Sequence, residues 1–370
     1  MNSEERGRLI AIGRQFRIPG VFQDGHRIKI GHINETFGAT YADAGSSCAV
    51  VHQTINTQVF REPVRLMGNV VRVTEHLRRR LEATRVDQLD RRALRVIPAR
   101  DGLPYHIDEA GTYWRTFAFV DGVRSYDAVE SPRQAYQAGF AFGQFQSLLS
   151  DLPSSDLATT IPDFHHTPRR FEKLVRAVES DEFRRAGLAR REIDFALSMA
   201  PLVSALIAAG ERGDVPVRVT HNDTKFNNVL LDTQTGEAMC VVDLDTVMPG
   251  LVLYDFGDMV RTTTSRTAED EQFLDRVELE LPMFEALARG YLEATRSFLT
   301  AGERRLLVLS GKLITFTIGI RFLTDYLEGD PYFRIHREQH NLDRCRKQFR
   351  LIESMNEREA EMQRIVERYS

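Results

Sequence analysis

The chain has 370 residues, 42% hydrophobic and 28% charged, a composition typical of folded proteins that disfavours disorder. Its formal net charge of −4 argues against nucleic acid as the main partner. The three cysteines, Cys48, Cys240 and Cys345, are widely separated, which argues against a disulfide framework or a zinc site and fits a reducing cytoplasm.

The N-terminal part alternates helix, strand and helix. Residues 1–20 predict a charged helix that ends at Pro19-Gly20. Residues 26–55 place β-branched and aromatic residues between turn formers, which predicts three strands. Apolar residues recur at helical spacing within 69–84, and residues 93–102 and 112–122 predict a further strand pair. We therefore expect a small antiparallel sheet with one long helix.

The chain becomes mostly helical after Asp121-Gly122. Ser131-Pro132 is a typical helix start, with serine as the N-cap. The uncharged run 195–210 is shorter than the ~20 residues that cross a bilayer and contains Pro201, so we predict a buried helix pair or a kinked helix, and no membrane segment. The charged, periodic tail from Leu342 to Tyr369 predicts a surface helix.

Length and pattern together predict two domains. Residues 1–118 would form a small β-rich lobe and residues 119–370 a larger α-rich lobe, joined near 118–124. Charges begin at Glu4, too early for a secretory signal peptide, so we expect a cytoplasmic protein, a monomer or weak dimer, that contacts neither membrane nor nucleic acid.

The segment HNDTKFNNVLLD, residues 221–232, followed by VVDLD, residues 241–245, concentrates polar groups beside strand-like runs. Two short strands joined by a tight turn would bring Asn228 and Asp243 to the same end. An amide oxygen and a carboxylate there are ligands that suit Mg²⁺, which takes its other ligands from water and nucleotide phosphates. Asp223, one loop away, could accept a proton from a substrate hydroxyl. Asp and Asn are also common turn formers, but their combination with this spacing favours phosphoryl transfer.

These motifs, with LYDFGD at 253–258, resemble the aminoglycoside phosphotransferase and choline kinase superfamily. IGHINETF, HQTINTQVF, IPDFHHTPRRF and IRFLTDYLEGDPYF resemble its N-acetylhexosamine 1-kinase group. The resemblance covers most of the chain. It implies an α+β, two-lobed protein-kinase-like fold and an enzyme that uses ATP and Mg²⁺.

The resemblance also implies roles for individual residues. Asp223 would be the catalytic base, with Lys225 against the transferring phosphate. Asn228 and Asp243 would hold Mg²⁺. Asp258 would tie the metal loop, residues 242–247, to the catalytic loop, residues 221–228.

The sugar would contact His32, Arg321 and Tyr332, whose alternatives are a surface histidine, an ion-paired arginine and a core tyrosine. Asp245 would face the same way as Asp243 if both lie in one strand, and could serve a second metal ion or the substrate.

The nucleotide side has a weaker signature. Gly31, Asn34 and Thr36 lie in a predicted turn that could cradle ATP phosphates, or could form a plain hairpin. Backbone groups near Ala118 to Val120 would meet adenine.

Protein-kinase-like folds place a lysine on the third strand, but here Gln53 and Thr54 occupy that slot. Three nearby arginines could supply the charge instead: Arg61, Arg65 and Arg72. Glu75 is either the orphaned partner of the absent lysine or a surface glutamate.

The sequence therefore predicts a small-molecule kinase that phosphorylates a sugar, in the first place the anomeric hydroxyl of an N-acetylhexosamine. Thr262 stands where such kinases have a bulkier aromatic residue, which keeps a plain hexose open as the acceptor. An aminoglycoside or a choline-like alcohol is a further alternative. A non-catalytic, kinase-like nucleotide-binding module is the alternative of a different class.

Overall fold

A computed structural model describes residues 2–28, 33–43 and 45–370. Its N-terminal part contains an antiparallel sheet with the strand order β1-β2-β3-β5-β4. The strands are β1 (Val21–Ile28), β2 (Thr36–Asp43), β3 (Ser46–Ile55), β4 (His106–Ile107) and β5 (Tyr113–Ala118). The predicted strands within 26–55 and 112–122 are thus confirmed. The predicted strand within 93–102 is wrong: Val96 and Ala99 form isolated bridges, and β4 pairs with β5 instead.

Two helices cover this sheet. Helix α1 (Ser3–Gly13) is shorter than the predicted 1–20 and contributes Leu9 to a core that includes Trp114. Helix α2 (Pro63–Ala83) begins six residues before the predicted 69, because Pro63 fits the first helical turn. The short helix α3 (Leu89–Arg92) follows.

The connection between the lobes leads through β6 (Val123–Arg124) into α4 (Pro132–Leu148). Ser131 is the N-cap of α4, as predicted, and its side chain accepts a hydrogen bond from the Gln134 N–H. Helix α4 packs against α9 (Leu281–Thr295) at three glycines, Gly139, Gly143 and Gly290. A Cβ added at Gly139 would lie 2.2 Å from the Leu287 carbonyl oxygen, so the crossing depends on the absence of a side chain.

Seven further helices complete the C-terminal part. They are α5 (Thr167–Ser180), α6 (Arg190–Ser198), α7 (Ala205–Glu211), α8 (Val252–Thr263), α10 (Ala301–Leu327), α11 (His340–Glu357) and α12 (Glu359–Tyr369). The run 195–210 belongs to a pair of helices, and the two segments that contain α6 and α7 meet at 41°. The predicted burial is wrong, because Leu197 and Leu202 are 45% and 40% exposed.

The prediction of one surface helix from 342 to 369 is wrong. The segment forms two helices, and α11 packs Phe349 and Ile352 into a core shared with α10. Asp343 and Lys347 are buried there as well. Charged residues at helical spacing mimic a solvated face, and here their burial follows from long-range packing.

Helix α10 is the one helix of the described residues that is long and apolar enough to cross a membrane. Most of it is buried by neighbouring helices, as expected for a core helix.

Four short strands lie between α7 and α8: β7 (Arg218–Thr220), β8 (Val229–Asp232), β9 (Ala238–Val241) and β10 (Met248–Gly250). Strands β8 and β9 form an antiparallel hairpin, and β7 pairs with β10. This arrangement confirms the two predicted strands and brings the loop after β7 beside the turn after β9.

Candidate active site

The loop between β7 and β8 brings three of the predicted residues together. Lys225 Nζ lies 2.9 Å from Asp223 Oδ1. Asn228 Nδ2 donates to the Asp223 carbonyl oxygen (2.9 Å) and to its Oδ2 (3.3 Å). Burial opposes ionisation of Asp223, but the Lys225 ammonium, together with the charges of His221 and Arg261, keeps the pKa of Asp223 below its usual range. Asp223 is therefore a carboxylate at neutral pH.

The β8–β9 hairpin brings Asn228 and Asp243 to one end, as the sequence predicts. The Val242 N–H donates to the Asn228 carbonyl oxygen (2.9 Å). Asp243 follows with a left-handed backbone, φ 61°, and its side chain keeps contact with solvent. Desolvation by the surrounding protein raises the pKa of Asp243 to about 7, and the carboxylates of Asp245 and Asp223 add to this rise. The turn thus concentrates negative charge.

These two residues fit the donor set of a magnesium ion. The side-chain N–H groups of Asn228 point at Asp223, which leaves its amide oxygen free of hydrogen bonds from the described residues. The Asp243 carboxylate likewise has no hydrogen-bond donor among them. Hard oxygen donors beside mutually repelling carboxylates suit a divalent cation that retains several waters.

Asp245 does not face the same way as Asp243, so the strand geometry assumed for it is wrong. Strand β9 ends at Val241, and residues Leu244–Thr246 form a 3₁₀ turn. Asp245 is 2% exposed and forms an ion pair with Arg115 on β5. The positive φ of Asp243 ends the pleat and turns Asp245 towards the N-terminal sheet.

The predicted phosphate-loop residues are linked to the same carboxylate. Asn34 Nδ2 donates to Asp245 Oδ2 (2.6 Å). Gln53 Nε2 donates to Thr36 Oγ1 (2.9 Å), and Gln53 Oε1 accepts from Arg115. The structure therefore brings Asn34, Thr36 and Gln53 into one hydrogen-bonded group. Gly31 and His32 lie outside the described residues.

None of the three arginines considered for the missing strand cation meets this group. Arg61, Arg65 and Arg72 are exposed. Glu75 is exposed as well, which favours its reading as a helix-surface glutamate. The buried cation is Arg115, which the sequence analysis missed because it lies on β5 and not on β3.

The predicted adenine-facing segment lies where β5 ends. The Ala118 N–H donates to the Arg95 carbonyl oxygen (2.9 Å), and the Phe119 N–H donates to the Ala49 carbonyl oxygen (3.1 Å). Both amides are therefore engaged within the protein. Val120 is buried in the core that includes α2.

A second residue that the sequence analysis missed, Asp255 on α8, holds the catalytic loop. It is fully buried, and its Oδ1 accepts from the Asn222 N–H (2.7 Å). Its Oδ2 accepts from the His221 N–H (2.9 Å) and from Gln146 Nε2 (2.7 Å). The only sequence signal was a second aspartate in LYDFGD, three residues before Asp258.

Asp258 contacts the catalytic loop but forms no hydrogen bond to the metal loop within the described residues. It accepts from the Thr224 N–H (3.0 Å) and from Arg261. The two loops are instead joined by His221, whose Nε2 donates to the Val242 carbonyl oxygen (3.0 Å). Thr246 Oγ1 donates a second hydrogen bond between the loops, to the His221 carbonyl oxygen (2.7 Å).

Two of the predicted sugar-binding residues lie on and after α10. The Arg321 guanidinium lies 5.0 Å from the ring centre of Phe164 and 5.5 Å from that of Phe333. Burial, and then the charge of Arg170, lower the pKa of Arg321 to about 10. Tyr332 is 58% exposed and stacks edge-on against Phe333.

Arg321 lies close to the catalytic loop. His165, next to Phe164, bonds through Nε2 to the Asn222 carbonyl oxygen (2.8 Å), one residue before Asp223. Within 2–28, 33–43 and 45–370, neither Arg321 nor Arg170 has a carboxylate within ion-pair distance. The surroundings of Asp223 on this side are therefore cationic and aromatic.

Comparisons with known proteins agree with this geometry. Residues 48–291 match the model of a family described as the phosphotransferase enzyme family. The fold is similar to an aminoglycoside phosphotransferase from Alicyclobacillus acidocaldarius subsp. acidocaldarius DSM 446, with TM-score 0.57 at 12% identity over 97% of this chain and 96% of that one. It is similar to a choline kinase from Cryptosporidium parvum Iowa II, with TM-score 0.52 at 15% identity over 96% and 97%.

A spectinomycin phosphotransferase, solved with ADP and spectinomycin, has TM-score 0.52 at 12% identity over 94% of this chain and 96% of that one. At these identities the likeness establishes the kinase-like fold.

Proposed function

The chain belongs to the phosphotransferase enzyme family, and we propose that it transfers the γ-phosphate of ATP to the anomeric hydroxyl of an N-acetylhexosamine, such as GlcNAc or GalNAc. Family membership makes it an ATP-dependent phosphotransferase with an alcohol group as acceptor. That membership leaves no reason to keep the non-catalytic binding module. The sugar and its anomeric hydroxyl are the proposal.

The observation that carries the proposal is the convergence of Asp223, Lys225, Asn228 and Asp243. Phosphoryl transfer needs little covalent help from a protein but does need an oriented nucleophile and neutralised charge. Asp223, ionised at neutral pH, accepts the proton of the sugar hydroxyl. Lys225 is held beside it by their ion pair and stabilises negative charge on the transferring group.

Asn228 and Asp243 would hold Mg²⁺, which supplies charge neutralisation at the phosphates when bound. The rise in the pKa of Asp243 to about 7 arises from desolvation and from neighbouring carboxylates, and a divalent cation would relieve that repulsion. Asn34, Thr36 and Gln53, with Gly31, would form the phosphate side of the ATP site. Ala118 and Val120 would form the adenine side.

The charge near Arg321 favours an uncharged acceptor. Arg170 lies close enough to Arg321 that the repulsion between their charges lowers the pKa of Arg321. A cationic acceptor would add to this repulsion. Choline-like alcohols and aminoglycosides are cationic, whereas guanidinium groups donate well to the vicinal hydroxyls of a sugar. Arg321 and Tyr332, with His32, are the proposed sugar contacts. Asp245 contacts protein groups on both oxygens, so we assign it no sugar contact.

The remaining features of the proposal are a lobe boundary between residues 118 and 119, a monomeric or weakly dimeric protein, and a cytoplasmic location. The absence of disulfides among the described cysteines supports the last of these.

The test is Mg²⁺-dependent ADP release with a panel of N-acetylhexosamines, plain hexoses, aminoglycosides and choline. We expect release with an N-acetylhexosamine and a sugar 1-phosphate as the product. Asp223→Asn should lower turnover roughly 10²–10⁴-fold. The matched control is Asp87→Asn, an exposed aspartate far from the loop in sequence, which should keep wild-type turnover.

Turnover only with a cationic acceptor would refute the sugar assignment. Near-wild-type turnover of Asp223→Asn would refute its role as the base.

A further inference from the structure

Arg115 is the least exposed arginine near the candidate active site, and its whole guanidinium is engaged. It is 1% exposed and lies opposite Gln53 in the register of β3 and β5. Its Nε and Nη2 donate to Gln53 Oε1 (3.0 and 2.6 Å), and its Nη1 donates to Asp245. A buried guanidinium is costly unless it is paired and hydrogen-bonded, so this pairing is built into the fold.

The contacts of Arg115 connect three segments around the proposed phosphate site. Gln53 is in turn hydrogen-bonded to Thr36 at the start of β2. Asp245 accepts a hydrogen bond from Asn34, whose Oδ1 also accepts from the Asn56 N–H (2.9 Å). Asp245 itself lies two residues after Asp243 in the metal loop. One side chain on β5 therefore links the loop before β2 to the metal loop.

Arg115 also affects the charge at the metal loop. Its ion pair with Asp245 places a positive charge beside the loop that carries Asp243. Arg115 is thus the only buried cation that the N-terminal sheet supplies to this loop within the described residues.

We propose that Arg115 replaces the lysine that protein-kinase-like folds carry on the third strand, acting as a positioning residue that holds the loop before β2 and the metal loop in register for the phosphates of the nucleotide. It acts through Gln53 and Asp245. The inference rests on the proposed nucleotide site, but it does not depend on which acceptor is phosphorylated.

This role distinguishes the phosphates from the adenosine part of the nucleotide. In the proposed site, Asn34, Thr36 and the metal loop would face the phosphates, whereas the base would lie at the end of β5. Loss of Arg115 should therefore weaken binding of phosphorylated nucleotides and leave adenosine binding nearly unchanged.

The experiment compares calorimetric affinities for Mg²⁺-ADP and for adenosine. Arg115→Met should weaken ADP binding by about tenfold or more and change adenosine binding by less than about twofold. It should also raise KM for ATP more than KM for the acceptor. Arg115→Lys, which keeps the charge, should recover part of the ADP affinity.

Arg115→Met leaves Asp245 buried without its partner, so folding needs its own control. The double variant Arg115→Met with Asp245→Leu removes both charges, a change that is often neutral for stability. We expect it to regain the melting temperature but not the ADP affinity. Arg78→Met, which breaks an ion pair with Asp90 elsewhere in the N-terminal part, should leave ADP binding unchanged.

ADP affinity within about twofold of wild type in the single and double variants would overturn the inference, as would a parallel loss of adenosine binding. If the wild-type protein binds no Mg²⁺-ADP, both this inference and the proposed function fail. If it binds ADP normally and Arg115 does not matter, only this inference fails.

Discussion

Asp255→Asn tests whether one buried carboxylate positions the catalytic loop. Asp255 accepts three hydrogen bonds, two from backbone N–H groups of the loop and one from Gln146. An asparagine can keep its oxygen at the Oδ2 position and so retain the bonds from His221 and Gln146. Its NH₂ group then faces the Asn222 N–H, so that two donors oppose each other.

The magnitude follows from that mismatch. A buried N–H that loses its acceptor costs about 1–3 kcal/mol. Removing the charge offsets part of this cost, because burial raises the pKa of Asp255 and so disfavours its ionised form. We therefore expect the free energy of unfolding to fall by about 1–2 kcal/mol. Asn222 immediately precedes Asp223, so kcat should fall more than KM changes.

The assay is urea denaturation at pH 7.5 together with steady-state kinetics. Asp275→Asn, an exposed aspartate in the same part of the chain, is the matched control and should change neither quantity. A free energy of unfolding within about 0.3 kcal/mol of wild type, with unchanged kcat, would refute the assigned hydrogen bonds.

Two further predictions concern stability. Burial lowers the pKa of His52 from 6.5 to about 4, so the folded state keeps it neutral while the unfolded state protonates. The stability that depends on neutral His52 is complete above pH 6.5 and is lost as the pH falls towards 4. Between pH 7.5 and 4.5, the free energy of unfolding of His52→Gln should therefore fall by about 2 kcal/mol less than that of wild type. Equal decreases in the two proteins would contradict this prediction. Gly139→Ala should lower the free energy of unfolding by about 1–3 kcal/mol, because its Cβ would meet the Leu287 carbonyl oxygen, while Gly187→Ala, where the space is open, should change it by less than about 0.5 kcal/mol. A melting temperature of Gly139→Ala equal to that of wild type would show that α4 and α9 can separate freely.

The parts of the fold that the sequence predicts are those set by local rules. Alternation and turn residues are enough to predict the β8–β9 hairpin, and with it the approach of Asn228 to Asp243. The N-cap at Ser131 follows from two adjacent residues. In each case the information lies within one short stretch of the sequence, so that chain neighbours determine the geometry.

The parts that escaped prediction depend on contacts between distant residues. Arg115 and Asp245 are 130 residues apart, and the local sequence around each residue does not predict their contact. Asp255 shares a motif with Asp258, and nothing in that motif shows that Asp255 accepts two hydrogen bonds from backbone N–H groups of the catalytic loop whereas Asp258 accepts one. Asp245 does not share the face of Asp243 because β9 ends at Val241 and the left-handed backbone of Asp243 turns the chain.

The left-handed backbone at Asn222 and Asp243, φ 66° and 61°, bears on how substitutions at these positions should be interpreted. Asn, Asp and Gly are the residues that enter this region most readily, so the chain conformation alone restricts positions 222 and 243 to a short set. An aspartate retained at 243 among related sequences would then reflect two selections, one on shape and one on charge. Asp243→Asn keeps the backbone conformation and removes the charge, whereas Asp243→Ala changes both. The difference in activity between the two variants therefore measures the effect of the backbone conformation, which would otherwise be attributed to metal binding.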